Sequence, residues 1–131
     1  AMSKKNKTFV SWTEINELLD VIQKQIKDSG EKFEMIAGVT RGGLIPAVML
    51  SHRLELPMMA IAPGDPILPI SLAKKTLIID EIYDTGKTMQ DLKQVNPMTQ
   101  FAVLFHNVGL DELEFYGKKM RLDNWLVFPW E

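Results

Sequence analysis

Asp80, Glu81, Asp84, Thr85, Gly86, Lys87 and Thr88 crowd together within Thr-Leu-Ile-Ile-Asp-Glu-Ile-Tyr-Asp-Thr-Gly-Lys-Thr-Met, residues 76–89. Carboxylates in this pattern accept hydrogen bonds from sugar hydroxyls or hold a divalent cation, and threonines beside a glycine donate to phosphate. The chemistry needs strand, turn and helix in that order. Thr76 to Ile79 is a short apolar, β-branched run of the kind found in a buried central strand of a parallel sheet. Asp84 to Thr88 is a turn, and a helix follows from Lys87 to about Val95. A helix start of this kind offers unpaired N–H groups and the positive end of its dipole to an anion. Gly86-Lys87-Thr88 also ends like a nucleotide-binding P-loop, but that loop requires a glycine where this chain has Glu81. A carboxylate there would repel a triphosphate, so the P-loop is excluded.

A second stretch has the same grammar. Phe33 to Val39 is expected to be the first central strand, and Thr40-Arg41-Gly42-Gly43 turns from it into a helix that carries Pro46 in its first turn and runs to about Leu54. The glycines alone are a weak signal. With a strand before, a helix after and an arginine on the turn, they form a second anion nest.

The elements around these turns follow from periodicity. Ser11 and Glu14 have capping-box spacing, then Ile15, Leu18, Leu19, Ile22 and Ile26 recur at helical intervals until Gly30 stops them. Pro57 to Ala62 is the next expected strand. Pro63-Gly64-Asp65-Pro66 breaks it, and an irregular loop runs to Lys74 and Lys75, which are expected to be solvated charges at a strand edge. Asn96-Pro97 marks a turn before the strand Phe101 to Phe105, with His106 and Asn107 at its carboxyl end. A lone histidine there is expected to be structural. Glu114 to Met120 is expected to be a short strand or an extended segment with Gly117 as a break, and Phe128 and Trp130 are expected to pack.

Composition limits the possible functions. The chain has 131 residues with 46% hydrophobic and 24% charged, which suits one domain with a single core. A net charge of −2 offers no general attraction to nucleic acid or to a membrane surface. The absence of cysteine excludes disulfides, thiolate metal sites and a cysteine nucleophile. No apolar run is long enough to span a bilayer and no signal-peptide core is present, so the expected location is the cytoplasm. Ala1-Met2 reads as a cloning remnant, and residues 1–8 as a loose tail.

The segment Thr76–Thr88 resembles the ribose-phosphate signature of the type I phosphoribosyltransferases: a hydrophobic lead, two acids, two spacers (Ile82 and Tyr83), Asp-Thr-Gly, and then a threonine. Arg41-Gly42-Gly43 before a helix with Pro46-Ala47 resembles the pyrophosphate loop of the same family, in which the peptide ahead of the arginine can be cis. Val10-Ser11-Trp12-Thr13, Trp125-Leu126 and Pro129-Trp130-Glu131 are similar to the opening and the closing hood of the xanthine-guanine members. This resemblance implies an α/β fold, a Rossmann-like parallel sheet flanked by helices, with a hood over about residues 106–131. It implies transfer of ribose 5-phosphate from 5-phosphoribosyl 1-pyrophosphate to a purine base. Thr85, Gly86, Lys87 and Thr88 would hold the 5-phosphate, Asp80 and Glu81 the ribose, and Thr40, Arg41, Gly42 and Gly43 the pyrophosphate. Asp84 would act as general base, Glu81 would contact Mg²⁺, and Asn107, Trp125 and Leu126 would meet the purine, Trp125 as a stacking platform. Two departures stand out: Asn107 where 6-oxopurine enzymes carry lysine, and a shortened loop where the family carries a lid. They leave a non-catalytic sensor of the sugar donor or a nucleotide as the alternative. The family also implies a homo-oligomer, dimer or tetramer.

Overall fold

All four pairings in the main sheet are parallel, so each strand must be followed by a crossover and each face must be covered. The computed structural model describes residues 6–64, 75–95 and 98–131. In chain order the elements are β1 (Lys7–Phe9), α1 (Trp12–Ser29), β2 (Met35–Val39), α2 (Leu44–Leu54), β3 (Met58–Ile61), β4 (Thr76–Tyr83), α3 (Lys87–Val95), β5 (Gln100–Asn107), β6 (Phe115–Met120) and β7 (Trp125–Val127). The main sheet runs β3-β2-β4-β5-β6, and β1 pairs with β7 in a separate parallel ribbon.

Alternation along the strands divides the core in two. Ile36, Leu77, Ile79, Ala102 and Leu104 face α1 and α2 on one side. Ala37, Val39, Ile78, Phe101 and Val103 face Met89 and Leu92 of α3 on the other. Helix α1 carries the expected cap, with Ser11 Oγ accepting from Glu14 N at 3.1 Å and Gly30 in the left-handed region at its end. Its five periodic residues, Ile15 to Ile26, are all buried. Gln25 on the same helix bonds both backbone groups of Tyr116, each at 2.9 Å, and so satisfies the outer edge of β6.

Several expectations need correction. Gly117 does not break β6: α1 crosses so closely there that a Cβ would lie 2.8 Å from both the Leu18 side chain and the Leu104 carbonyl. Strand β6, within the stretch 106–131, completes the main sheet. Residues 108–114 and the chain beyond Met120 stand outside that sheet, and β7 pairs with β1. Lys7 and Thr8, expected in a loose tail, belong to that ribbon, with Trp125 N donating to Asn6 O at 2.7 Å. Strand β4 runs on through the acids to Tyr83 rather than ending at Ile79. Lys75, by contrast, is an exposed charge at the amino end of β4 as expected, and it pairs with Glu31 and lies over the Phe33 ring. Residues 65–74, with most of the shortened loop and Lys74, and the Asn96-Pro97 turn lie outside the described residues.

Candidate active site

The crossover after β2 leads to β3 on one side and the crossover after β4 leads to β5 on the other, so the winding reverses between β2 and β4 and a crevice opens at their carboxyl ends. The two sequence-identified turns, 40–43 after β2 and 84–88 after β4, flank that crevice. Register fixes their proximity, because Gly38 pairs with Ile79 and the next residues of each strand lead into the turns.

The first turn is held by contact. The Thr40–Arg41 peptide is cis, and Gly43 N donates to Val39 O at 2.8 Å. A Cβ on Gly42 would lie 2.3–2.6 Å from the Glu81 carboxylate, and one on Gly43 2.5 Å from the Ile79 carbonyl. Only glycine lets the backbone come this near to β4. Arg41 and Gly42, with Leu44, Ile45, Glu81, Trp130 and Glu131, line a cleft of about 690 Å³.

The second turn encloses a hollow of about 120 Å³ lined by residues 82–89. Gly86 sits at φ 82°, a conformation that favours glycine. Gln90 N donates to Gly86 O at 2.9 Å and Lys87 N to Thr85 Oγ1 at 3.4 Å, which sets the first turn of α3 against the hollow. The Lys87 ammonium extends into solvent, 3.8 Å from Asp91.

Between the turns, Asp80 and Glu81 are only partly accessible. Burial pushes the Asp80 carboxyl up to about 6, opposed by the Glu81 N–H that it accepts at 2.7 Å. Burial first, then the charges of Glu131 and Asp80, push Glu81 up to about 7. The Trp130 indole N–H lies near enough to favour the charged carboxylate slightly but outside hydrogen-bond geometry. Glu81 Oε2 and Trp130 Nε1 are both buried without a partner. Among the described residues no group of three or more acidic or histidine side chains could hold a metal by itself. A cation here would therefore share its coordination with the ligand, and the orphaned Glu81 oxygen fits that role.

Opposite Asp84, the end of β5 is tightly bonded. Leu113 N donates to His106 Nε2 at 3.0 Å, so the ring carries its hydrogen on Nδ1, 2.8 Å from the Asn107 carbonyl. Fully buried between Tyr83 and Tyr116, His106 is structural, as its isolation in the sequence implied. Asn107 Nδ2 lies 3.2 Å from both the carbonyl and Oδ1 of Asp84, while its Oδ1 accepts from Gly109 N at 3.0 Å.

The remaining base-facing candidates separate. Trp125 is 56% exposed, and Lys7 Nζ lies 5.7 Å from its ring centre over one face. Leu126 is buried in the core with Phe128, and its side chain is not available to a ligand. Trp125 N and Val127 O bond toward β1, so the main-chain groups of Leu126 face the other way. Trp130, expected to pack, does stack on Phe128 at 5.1 Å and also walls the cleft. Leu44, Ile45 and Glu131 line the cleft without having been site candidates, and of these Glu131 brings a charge to it. Its only signal was the Pro-Trp-acid ending, whose place beside Glu81 depends on the chain folding back over the sheet.

This sheet, with its crevice and its two turns, is the fold of the type I phosphoribosyltransferases. In sequence the chain is similar to the xanthine-guanine members of that family. It is 25% identical to a xanthine-guanine phosphoribosyltransferase of Idiomarina loihiensis over 94% of this chain and 86% of that one. A purine phosphoribosyltransferase structure from Pyrococcus horikoshii superimposes with a TM-score of 0.75 at 27% identity, covering 97% and 95% of the two chains. A Helicobacter pylori xanthine-guanine-hypoxanthine phosphoribosyltransferase gives 0.76 at 23%, covering 96% and 94%. No protein-family model matches the chain.

Proposed function

We propose that this protein is a purine phosphoribosyltransferase, which joins a purine nitrogen to C1 of 5-phosphoribosyl 1-pyrophosphate and releases pyrophosphate. The carrying observation is the Glu81 carboxylate, an acid packed on Gly42 of one anion turn while its own strand leads into the other. One phosphorylated sugar with phosphates at both ends suits two turns joined in this way.

In this reading the 84–88 turn binds the 5-phosphate through the first-turn N–H groups of α3 and the hydroxyls of Thr85 and Thr88. Asp80 and Glu81 accept from the ribose hydroxyls and orient C1 toward the base. Arg41 and the Gly42-Gly43 backbone hold the pyrophosphate as charge builds on it during bond cleavage. Asp84 accepts the proton that the purine nitrogen loses. Mg²⁺, when bound, neutralises the pyrophosphate, and Glu81 is the side chain that would contact it. Trp125 offers its face to the base, with the Leu126 main chain beside it. The relatives' names support a purine as the acceptor. The family resemblance supports a cytoplasmic homo-oligomer, and no helix among the described residues is long and apolar enough to cross a membrane.

The test is a panel of guanine, xanthine, hypoxanthine and adenine with the sugar donor and Mg²⁺, read by nucleotide formation. At least one base should give its monophosphate, and Asp84→Ala should lower that rate by about 10²–10⁴-fold with the fold intact. No product from any base would reject the proposal.

A further inference from the structure

We propose that Asn107 is a positioning residue for Asp84, and that it does not read the base. This inference rests on the function proposed above and assigns Asn107 a role within that site.

Register brings the two residues together. Tyr83 pairs with His106 across β4 and β5, so the next residue of each strand, Asp84 and Asn107, come side by side where the sheet ends. Asn107 is fixed at both its main chain and its side chain. The His106 ring holds its carbonyl, and the Gly109 N–H holds its side-chain oxygen, which sets the amide with its nitrogen toward Asp84. Nδ2 then lies 3.2 Å from the Asp84 carbonyl and 3.2 Å from its carboxylate.

A primary amide has two N–H donors, and both have an acceptor within Asp84. One lone pair of Oδ1 is taken by Gly109. No donor is left for a purine oxygen, and the residue carries no charge. The geometry instead aims one oxygen of the Asp84 carboxylate while tying the start of the 84–88 turn to β5. A general base works only when its acceptor oxygen is held toward the proton it takes, so loss of this amide should appear in the chemical step.

Asn107→Asp keeps the shape and replaces the donors with acceptors; Asn107→Leu keeps the size and removes both. For every base that the wild type accepts, each variant should lower kcat by about 10–100-fold. The factor should be alike for 6-oxo and 6-amino purines, and the KM for the base should be unchanged. Backbone amide exchange over residues 84–88 should be faster in both variants. A shift of the hypoxanthine-to-adenine ratio by tenfold or more, with kcat for the favoured base intact, would overturn the proposal and make Asn107 a base-reading residue. Unchanged kcat and unchanged exchange would overturn it as well. If the wild type turns over no purine, the proposed function fails, and exchange alone decides the Asn107 assignment: faster in both variants supports it, unchanged in either rejects it. If one variant does not fold, the other carries the same outcomes.

Discussion

The turns after β2 and β4 use glycine for different physical reasons. In the turn after β2 the constraint is space: Gly42 and Gly43 lie against β4 so closely that any side chain meets an atom already there. In the turn after β4 the constraint is torsion: Gly86 has a positive φ, and a Cβ there would come no nearer than 3.3 Å to its closest neighbour, the Tyr83 ring. One turn is braced by the sheet. The other is shaped by its own backbone, with Asn107 as a brace from β5.

Substitutions can break or sharpen this contrast. Gly43→Ala should be the most damaging, because its Cβ would meet the Ile79 and Val39 carbonyls, which are backbone and cannot turn aside. A loss of about 3 kcal/mol is expected, visible as a drop in the thermal midpoint of roughly 10 °C. A midpoint within a few degrees of wild type would mean that the turn is not braced by the sheet. Gly42→Ala meets only the end of the Glu81 side chain, which can swing away. Stability should change little, while the KM for the sugar donor should rise about tenfold or more if Glu81 holds the ribose as proposed, because the acid is displaced. Gly86→Ala should cost about 1–2 kcal/mol, the usual penalty of a side chain in the left-handed region. Chemical denaturation would measure it, and a neutral result would show that this turn relaxes to another shape.

The smallest effect is on pH dependence and falls on the acids between the turns. Asp80 and Glu81 ionise at about 6 and about 7 in the folded chain, above the ordinary 3.8 and 4.5. Their contribution to stability is therefore greatest below the ordinary values and is lost as pH rises through the folded ones. Without ligand or Mg²⁺, the thermal midpoint should fall between pH 5 and pH 8, and Glu81→Gln should flatten that fall. A profile in Glu81→Gln as steep as wild type would show that its ionisation is not what the fold resists.

Much of this molecule was legible locally. The cap at Ser11, the five buried residues of α1, the bounds of α2 and the start of α3 all follow from spacing within a few turns of chain, where neighbours in sequence are neighbours in space. The dense run of acids and threonines was equally plain, since few local structures require such residues together. The misreadings share one cause. Gly117 suggested a break because a strand glycine commonly marks one, yet here it admits Leu18 of a helix far away in sequence. Contacts that no local pattern announces are of the same kind: the Leu126 side chain packs into the core, and the Asn107 amide reaches Asp84.

Sequence alone thus determined the two glycine turns and the strand–turn–helix units that carry them, because backbone geometry, capping and apolar period are short-range. Tertiary structure decided that β2 lies beside β4, that Tyr83 stands opposite His106, and that Trp130 and Glu131 return to Glu81. Those facts depend on sheet order, register and a path back across the molecule. A shift of one residue in register would turn every side chain of a strand to the other face and separate Asp84 from Asn107.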